Sequence, residues 1–143
     1  MFIGEYYHAI DEKGRVAVPS KFRASLKSGV IVTHGLDHCL FVFGNQEWAA
    51  LAKKLISLSL AKSNSRAFSR LMLAGAMESK LDAQGRILVP DYLKRYAGLK
   101  KQVVVAGLYN RIEIWDTNIW KKYKDRTEAS SDDIAEQLGE LGI

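Results

Sequence analysis

A twelve-residue phrase occurs twice in this chain, and its recurrence limits the fold more than any other feature. DEKGRVAVPSKF runs from Asp11 to Phe22, and DAQGRILVPDYL runs from Asp82 to Leu93. Both copies keep Asp, Gly, Arg, Val and Pro in register, and the likeness continues past the prolines. Ser20 to Leu26 and Asp91 to Ala97 carry short helical patterns. Pro19 and Pro90 are expected at the first helical position, where a missing N–H goes unnoticed. Gly29 and Gly98 follow as helix stops. Next come β-branched runs, Val30 to Thr33 and Val103 to Ala106, then Gly35-Leu36 and Gly107-Leu108, then strand patterns at Leu40 to Phe43 and Ile112 to Trp115. Trp48 and Trp120 sit at the same offset from Gly35 and Gly107.

Each copy therefore reads strand, turn, strand, short helix, strand, turn, strand, helix start. The first strands are predicted at Glu5 to Ile10 and Met77 to Leu81, and the short return strands at Arg15 to Val18 and Arg86 to Val89. The intervening turns start with Asp11 and Asp82, which can accept from backbone N–H groups two residues on. They end at Gly14 and Gly85, which tolerate positive φ. Four short strands cannot enclose a core. Two such units can complete each other as a small closed barrel with no exposed edges.

Between the copies, Trp48, Leu51, Leu55 and Leu58 recur at helical spacing, and so do Phe68, Leu71, Met72 and Gly75. Lys62 to Ser65 reads as the break of a helical pair. Ile119, Trp120 and Tyr123 form a further helical stripe, and the chain beyond Thr127 is expected to be loosely ordered until a weak helix near Asp133 to Leu141. The expected division is repeat 1 over 5–50, a helical linker over 51–76, repeat 2 over 77–122 and an acidic tail over 127–143.

Charge narrows the function. The chain carries 21 basic and 16 acidic residues, a net +5. The tail holds Glu128, Asp132, Asp133, Glu136 and Glu140 with no lysine or arginine, so the rest of the chain stands near +10. A basic body with an acidic tail points to a polyanionic partner. Cys39 is the sole cysteine, so an intrachain disulfide is excluded. No apolar run approaches the roughly 18 residues of a membrane span, and the first residues lack a signal-peptide pattern. A cytoplasmic protein with no membrane partner is expected.

The sharpest chemical feature is the Asp-x-x-Gly-Arg turn. Asp11 and Arg15, like Asp82 and Arg86, are four residues apart across a tight turn, close enough to pair. A paired arginine is held in one direction and keeps spare donors for phosphate oxygens or for the O6 and N7 edge of guanine. The alternative is purely structural: Asp and Gly build the turn and Arg covers it. Two copies favour function, because turn stability alone does not demand Arg at both returns. Lys13 adds a charge to the first turn, where the second has Gln84. Lys21, Arg23, Lys94 and Arg95, on the polar faces of the short helices, can touch phosphates or merely be solvated. Arg66 and Arg70 can pair with a neighbouring subunit or extend the basic surface.

Other groupings carry less. Trp48, Trp120, Phe41, Phe43 and Trp115 suit core packing better than stacking on single strands. His34, His38 and Cys39 are close in sequence but lack a fourth metal ligand or a third orienting partner. No phosphate-cradling glycine loop and no paired-carboxylate cleft is present. The expectation is a binding protein, not an enzyme, with no cofactor, no metal and no small-molecule substrate.

The pattern as a whole resembles the MraZ family of bacterial proteins, within the AbrB-like swapped-hairpin group. The likeness reaches from Met1 to about Arg126. It rests on the opening Met1-Phe-Ile-Gly4, on the pairs Asp11/Arg15 and Asp82/Arg86, on GRVAVP and GRILVP, and on Ser65 to Arg70 with Gly75-Ala76. The resemblance implies a mainly β fold with helices (α+β), a double-split swapped-hairpin barrel built from two tandem repeats. It implies a nucleoid-associated transcription regulator, commonly a repressor, that binds direct repeats of double-stranded DNA upstream of its own cell-division and cell-wall gene cluster and assembles into rings. By position, DNA contact falls on Arg15 and Arg86, oriented by Asp11 and Asp82, with Lys13 at a basic position of the first motif. From the residues themselves, Gly14 and Gly85 close the turns, and Lys21 and Arg23 on the short helix are added as DNA contacts.

Two other classes compete. An antitoxin-like interaction module would use the acidic tail to hold a basic protein. An enzyme on a related barrel, such as a decarboxylase that cleaves itself at a Gly-Ser step, lacks that dipeptide here.

Overall fold

The structure is a computed structural model that describes residues 1–142. Its strands are β1 (Phe2–Ala9), β2 (Arg15–Ala17), β3 (Val30–His34), β4 (Leu40–Gly44), β5 (Met77–Ser79), β6 (Arg86–Leu88), β7 (Gln102–Tyr109) and β8 (Ile112–Asp116). Its helices are α1 (Ser20–Arg23), α2 (Asn45–Ile56), α3 (Ser63–Ser69), α4 (Asp91–Ala97), α5 (Thr117–Ala129) and α6 (Ser131–Gln137).

Six strands form one antiparallel sheet in the order β1-β7-β8-β4-β3-β5, and β2 and β6 form a separate two-stranded ribbon. The order shows the repeats exchanging their first strands. β1 of the first repeat pairs along its whole length with β7 of the second, from Phe2↔Tyr109 to Ala9↔Gln102. β5 of the second repeat pairs with β3 of the first, from Val30↔Ser79 to Val32↔Met77. The ribbon also draws one strand from each repeat, with Val16 facing Ile87 at its centre. This is the swapped-hairpin architecture that the family resemblance implied.

The barrel itself does not close. β2 and β6 are three residues each and pair only with one another, apart from a single Ile10↔Val16 bridge back to the end of β1. Strands this short cannot span the gap between β1 and β5, which remain the edges of the large sheet. The ribbon instead lies over that sheet and closes the core by packing. Val16, Val18, Ile87 and Val89 meet Val30, Val32, Leu40, Val42, Val103, Val105, Ile112 and Ile114, while Phe22, Leu26, Leu93 and Ala97 fill the ends.

The period of two along the strands assigns the other face. Val104, Ala106 and Trp115 point outward with Cys39 and are packed by Phe41 and by Ile119, Trp120 and Tyr123 of α5. Burial on both faces explains why β3 and β7 read as continuous apolar runs.

Local boundaries shift for physical reasons. Pro19 (φ −49, ψ 137) and Pro90 (φ −68, ψ 157) are extended N-cap residues, one position before the helices they introduce. β1 starts at Phe2 rather than Glu5 because β7 offers eight pairing partners, and β5 stops at Ser79 because β3 offers three. α1 tightens into a 3-10 turn at Ala24–Leu26. Of the two predicted helix stops, Gly98 takes the left-handed conformation (φ 61) and Gly29 does not (φ 146). α2 ends at Ile56 and α3 begins at Ser63, so the break in the linker covers residues 57–62 and shares only Lys62 with the predicted stretch, and α3 runs into one π-helical turn at Arg70–Ala74. α5 continues to Ala129, past the predicted loosening at Thr127, and α6 begins at Ser131. The last predicted residue of the tail, Ile143, lies outside the described residues. Among the described residues, no helix is long and apolar enough to cross a membrane.

Candidate nucleic-acid interface

The two turns fold around their aspartates in the same way. In turn 1, Asp11 Oδ1 accepts from the backbone N–H of Lys13 at 3.0 Å and of Arg15 at 2.8 Å, while Oδ2 accepts from Arg15 Nε at 2.7 Å. In turn 2, Asp82 accepts from the N–H of Gln84 at 2.9 Å and of Arg86 at 2.9 Å, and from Arg86 Nε at 2.8 Å. The Gly14 and Gly85 N–H groups donate to the carbonyls of Asp11 and Asp82, both at 3.0 Å. The Arg15 N–H, then the Arg15 guanidinium, hold the Asp11 carboxyl below the ordinary aspartate range against the opposing pull of burial. The Arg86 N–H and guanidinium do the same for Asp82.

A crossed pair of bonds joins the turns. Val89 N–H donates to Gly14 O at 2.7 Å, and Val18 N–H donates to Gly85 O at 2.9 Å. Gly14 (φ +84) is therefore pressed on Val89, and an added Cβ would lie 2.5 Å from its carbonyl oxygen. Gly85 (φ +73) lies under a side chain: its added Cβ would run into Arg23 Nε.

Between the turns, the ribbon presents a flat outer face. Val16 and Ile87 point into the core, so Arg15, Ala17, Arg86 and Leu88 point out, with Arg15 opposite Leu88 and Ala17 opposite Arg86. The arginines sit on a diagonal. Arg15 is 34% exposed, and its hydrogen bond to Asp11 is made through Nε. Arg86 is 27% exposed, and its Nη1 also lies 3.8 Å from Asp11 Oδ2. Each Nε is thus spent on orientation while terminal donors remain for a ligand. Leu88, half exposed between the arginines, was not singled out from the sequence. The available signal was an apolar residue at the outward position of a strand.

The flanking basic residues separate. Arg23 does join the site, but at the turn of the other repeat: its Nε donates to Val18 O at 2.9 Å, beside Gly85. Lys94, at the equivalent place in α4, lies beside Asp11 and Glu12 of turn 1. Lys13 is exposed on turn 1. Lys21 is not gathered with the turns; its ammonium rests 5.2 Å from the centre of the Tyr6 ring. His34 lies 2.9 Å from Leu71 O through Nδ1 and edge-on to Tyr96, 4.4 Å between centroids. Cys39 is buried, its thiol held protonated chiefly by that burial. Trp115 packs on Trp120 and Tyr123, and Trp48 on Phe43, away from the ribbon.

The MraZ family model, described as "MraZ protein, putative antitoxin-like", matches the chain twice, over residues 1–71 and 72–140. The chain belongs to the MraZ family. Among curated relatives, the protein named Transcriptional regulator MraZ of Alkaliphilus metalliredigens is 50% identical. Those of the same name from Halothermothrix orenii and Thermoanaerobacter pseudethanolicus are 48% and 46% identical. In all three, 143 residues align, covering the whole of each chain. The double match of the family model sets the two repeats in correspondence with two units of the family.

Proposed function

We propose that this chain is a DNA-binding transcription regulator, cytoplasmic and nucleoid-associated, that binds double-stranded DNA through the β2–β6 ribbon and its two turns. The observation that carries the reading is the pair of arginines held by their own turn aspartates on one outward face. A two-stranded ribbon is narrow enough for the major groove, about 12 Å wide, where arginine reads the O6 and N7 of guanine. Arg15 and Arg86 act as readers, Asp11 and Asp82 as their supports, and Leu88 lies where it can meet a thymine methyl group. Lys13 and Arg23 contact phosphates beside the two turns. Lys21 contributes to the field of the surface rather than to a direct contact.

The relatives' name, Transcriptional regulator MraZ, supports the same class. The finer reading is repression through direct repeats upstream of the chain's own cell-division and cell-wall gene cluster. One chain offers two arginine turns, few for tight binding, so a ring of copies would gain avidity over repeated sites. The acidic tail supports a second reading, a protein-interaction module, which accords with the "antitoxin-like" part of the family description.

A mobility-shift titration tests the proposal, using DNA from upstream of the chain's own gene with unrelated DNA as competitor. Specific, salt-sensitive binding is expected, with a preference for the upstream DNA that Arg15→Ala removes. Equal binding of both DNAs, or a preference that survives Arg15→Ala, overturns the assignment of the ribbon.

A further inference from the structure

Beside turn 1 lies an open hollow of about 510 Å³, lined by Asp11 and Glu12 on one side and by Lys94, Leu99, Lys100 and Lys101 on the other. The three lysines come from α4 and from the loop that leads into β7. Their backbone is fixed at three points. Leu99 N–H donates to Lys94 O at 3.0 Å. Lys100 N–H donates to Asp116 Oδ1 at 3.1 Å, and Asp116 is itself buried and caps α5 through Asn118 and Ile119. Lys101 O accepts from Ile10 N–H at 2.9 Å, which ties the loop directly to the start of turn 1.

None of the three lysines has an ion pair among the described residues. The acid nearest the ribbon, Asp11, is already engaged by Arg15. Glu12 is the remaining negative charge of the hollow, so the net field there is positive. The other half of the molecule is built differently. At the matching positions stand Lys80 for Ala9, Ala83 for Glu12, Gln84 for Lys13, Arg23 for Lys94, and Lys27 and Ser28 for Lys100 and Lys101, so the basic residues are placed differently at the two ends. Arg23, moreover, already spends its Nε on Val18 O.

We propose that Lys94, Lys100 and Lys101 form a phosphate-binding site that extends the DNA footprint past turn 1. The inference rests on the DNA-binding reading above. Compact, hydrated ammonium groups on a fixed loop suit phosphate oxygens, carry no base information, and add affinity to any sequence.

The test measures binding to the upstream duplex and to a scrambled duplex of equal length by fluorescence anisotropy across a salt series. The proteins are full-length wild type, Lys100→Gln with Lys101→Gln, the same pair changed to Arg, and Arg15→Ala. Each phosphate contact contributes about 0.9 to the slope of log affinity against log salt. The glutamine pair is expected to make the slope shallower by about 2 on both duplexes while leaving the preference between them unchanged. The arginine pair is expected to keep the wild-type slope. If the glutamine pair keeps the wild-type slope, the lysine site is overturned while the ribbon reading stands. If Arg15→Ala keeps the preference but the glutamine pair loses slope, the ribbon assignment falls and the lysine site stands. Failure of the wild type to bind either duplex overturns both.

Discussion

Turn 1 and turn 2 make the same three bonds to their aspartates, to within about a tenth of an ångström, yet they meet different neighbours. Gly14 touches backbone where Gly85 touches the side chain of Arg23. Arg15 answers to one carboxylate where Arg86 lies between two. Lys13 faces solvent where the second turn has Gln84, and Ala17 stands where the second strand has Leu88. The inner bonds are dictated by five consecutive residues, so they repeat whenever the five repeat. The outer shell is supplied by the opposite repeat, and there the two halves have diverged.

The largest break in this comparison comes from the glycines. Gly14→Ala must take a positive φ and drive a methyl group into Val89 O, and should cost about 2–4 kcal/mol in urea unfolding. Gly85→Ala must displace the Arg23 side chain from its bond to Val18 O and should cost about 1–2 kcal/mol. Equal costs would mean that the turns are packed alike.

The arginines come next. Arg15→Ala should lose about 1–3 kcal/mol of DNA affinity per engaged site in an anisotropy titration. Arg86→Ala should lose less, because Arg86 is less exposed and also leans on Asp11. Both variants should keep the far-ultraviolet circular dichroism of the wild type. Unfolding of Arg15→Ala would mark that residue as structural.

Acid should erase the comparison rather than sharpen it. Both aspartates are held below their ordinary value of 3.8 by the same donors. In the window between the depressed folded value and the unfolded value, the unfolded chain binds more protons. Stability from the turns is therefore complete above about pH 4 and is lost as pH falls through the folded values. Thermal melts from pH 5 to pH 2 should show Asp11→Asn and Asp82→Asn flattening that decline by similar amounts.

The smallest effect is an exchange of the one charge that separates the turns. Lys13→Gln should make the salt dependence of DNA binding shallower by at most about 1, and Gln84→Lys should make it steeper by a similar step. Unchanged slopes in both would remove Lys13 from the interface.

Much of this molecule could be read along the chain, for a reason that particular residues make plain. Asp11 and Arg15 are four residues apart, as are Asp82 and Arg86, and a tight turn brings such groups together whatever the rest of the fold does. The short helices after Pro19 and Pro90 are local in the same sense. The alternating burial of Val103, Val104, Val105 and Ala106 shows as an unbroken apolar run because both faces of the sheet are covered.

Tertiary structure decided what depends on partners far along the chain. The exchange of β1 and β5 between repeats, the open barrel, the seat of Arg23 over turn 2, and the hollow where Lys100 and Lys101 approach turn 1 join residues separated by roughly a third of the sequence or more. Such pairings are selected by which apolar faces can be buried together and by where short strands run out of partners. No window of neighbouring residues contains that information.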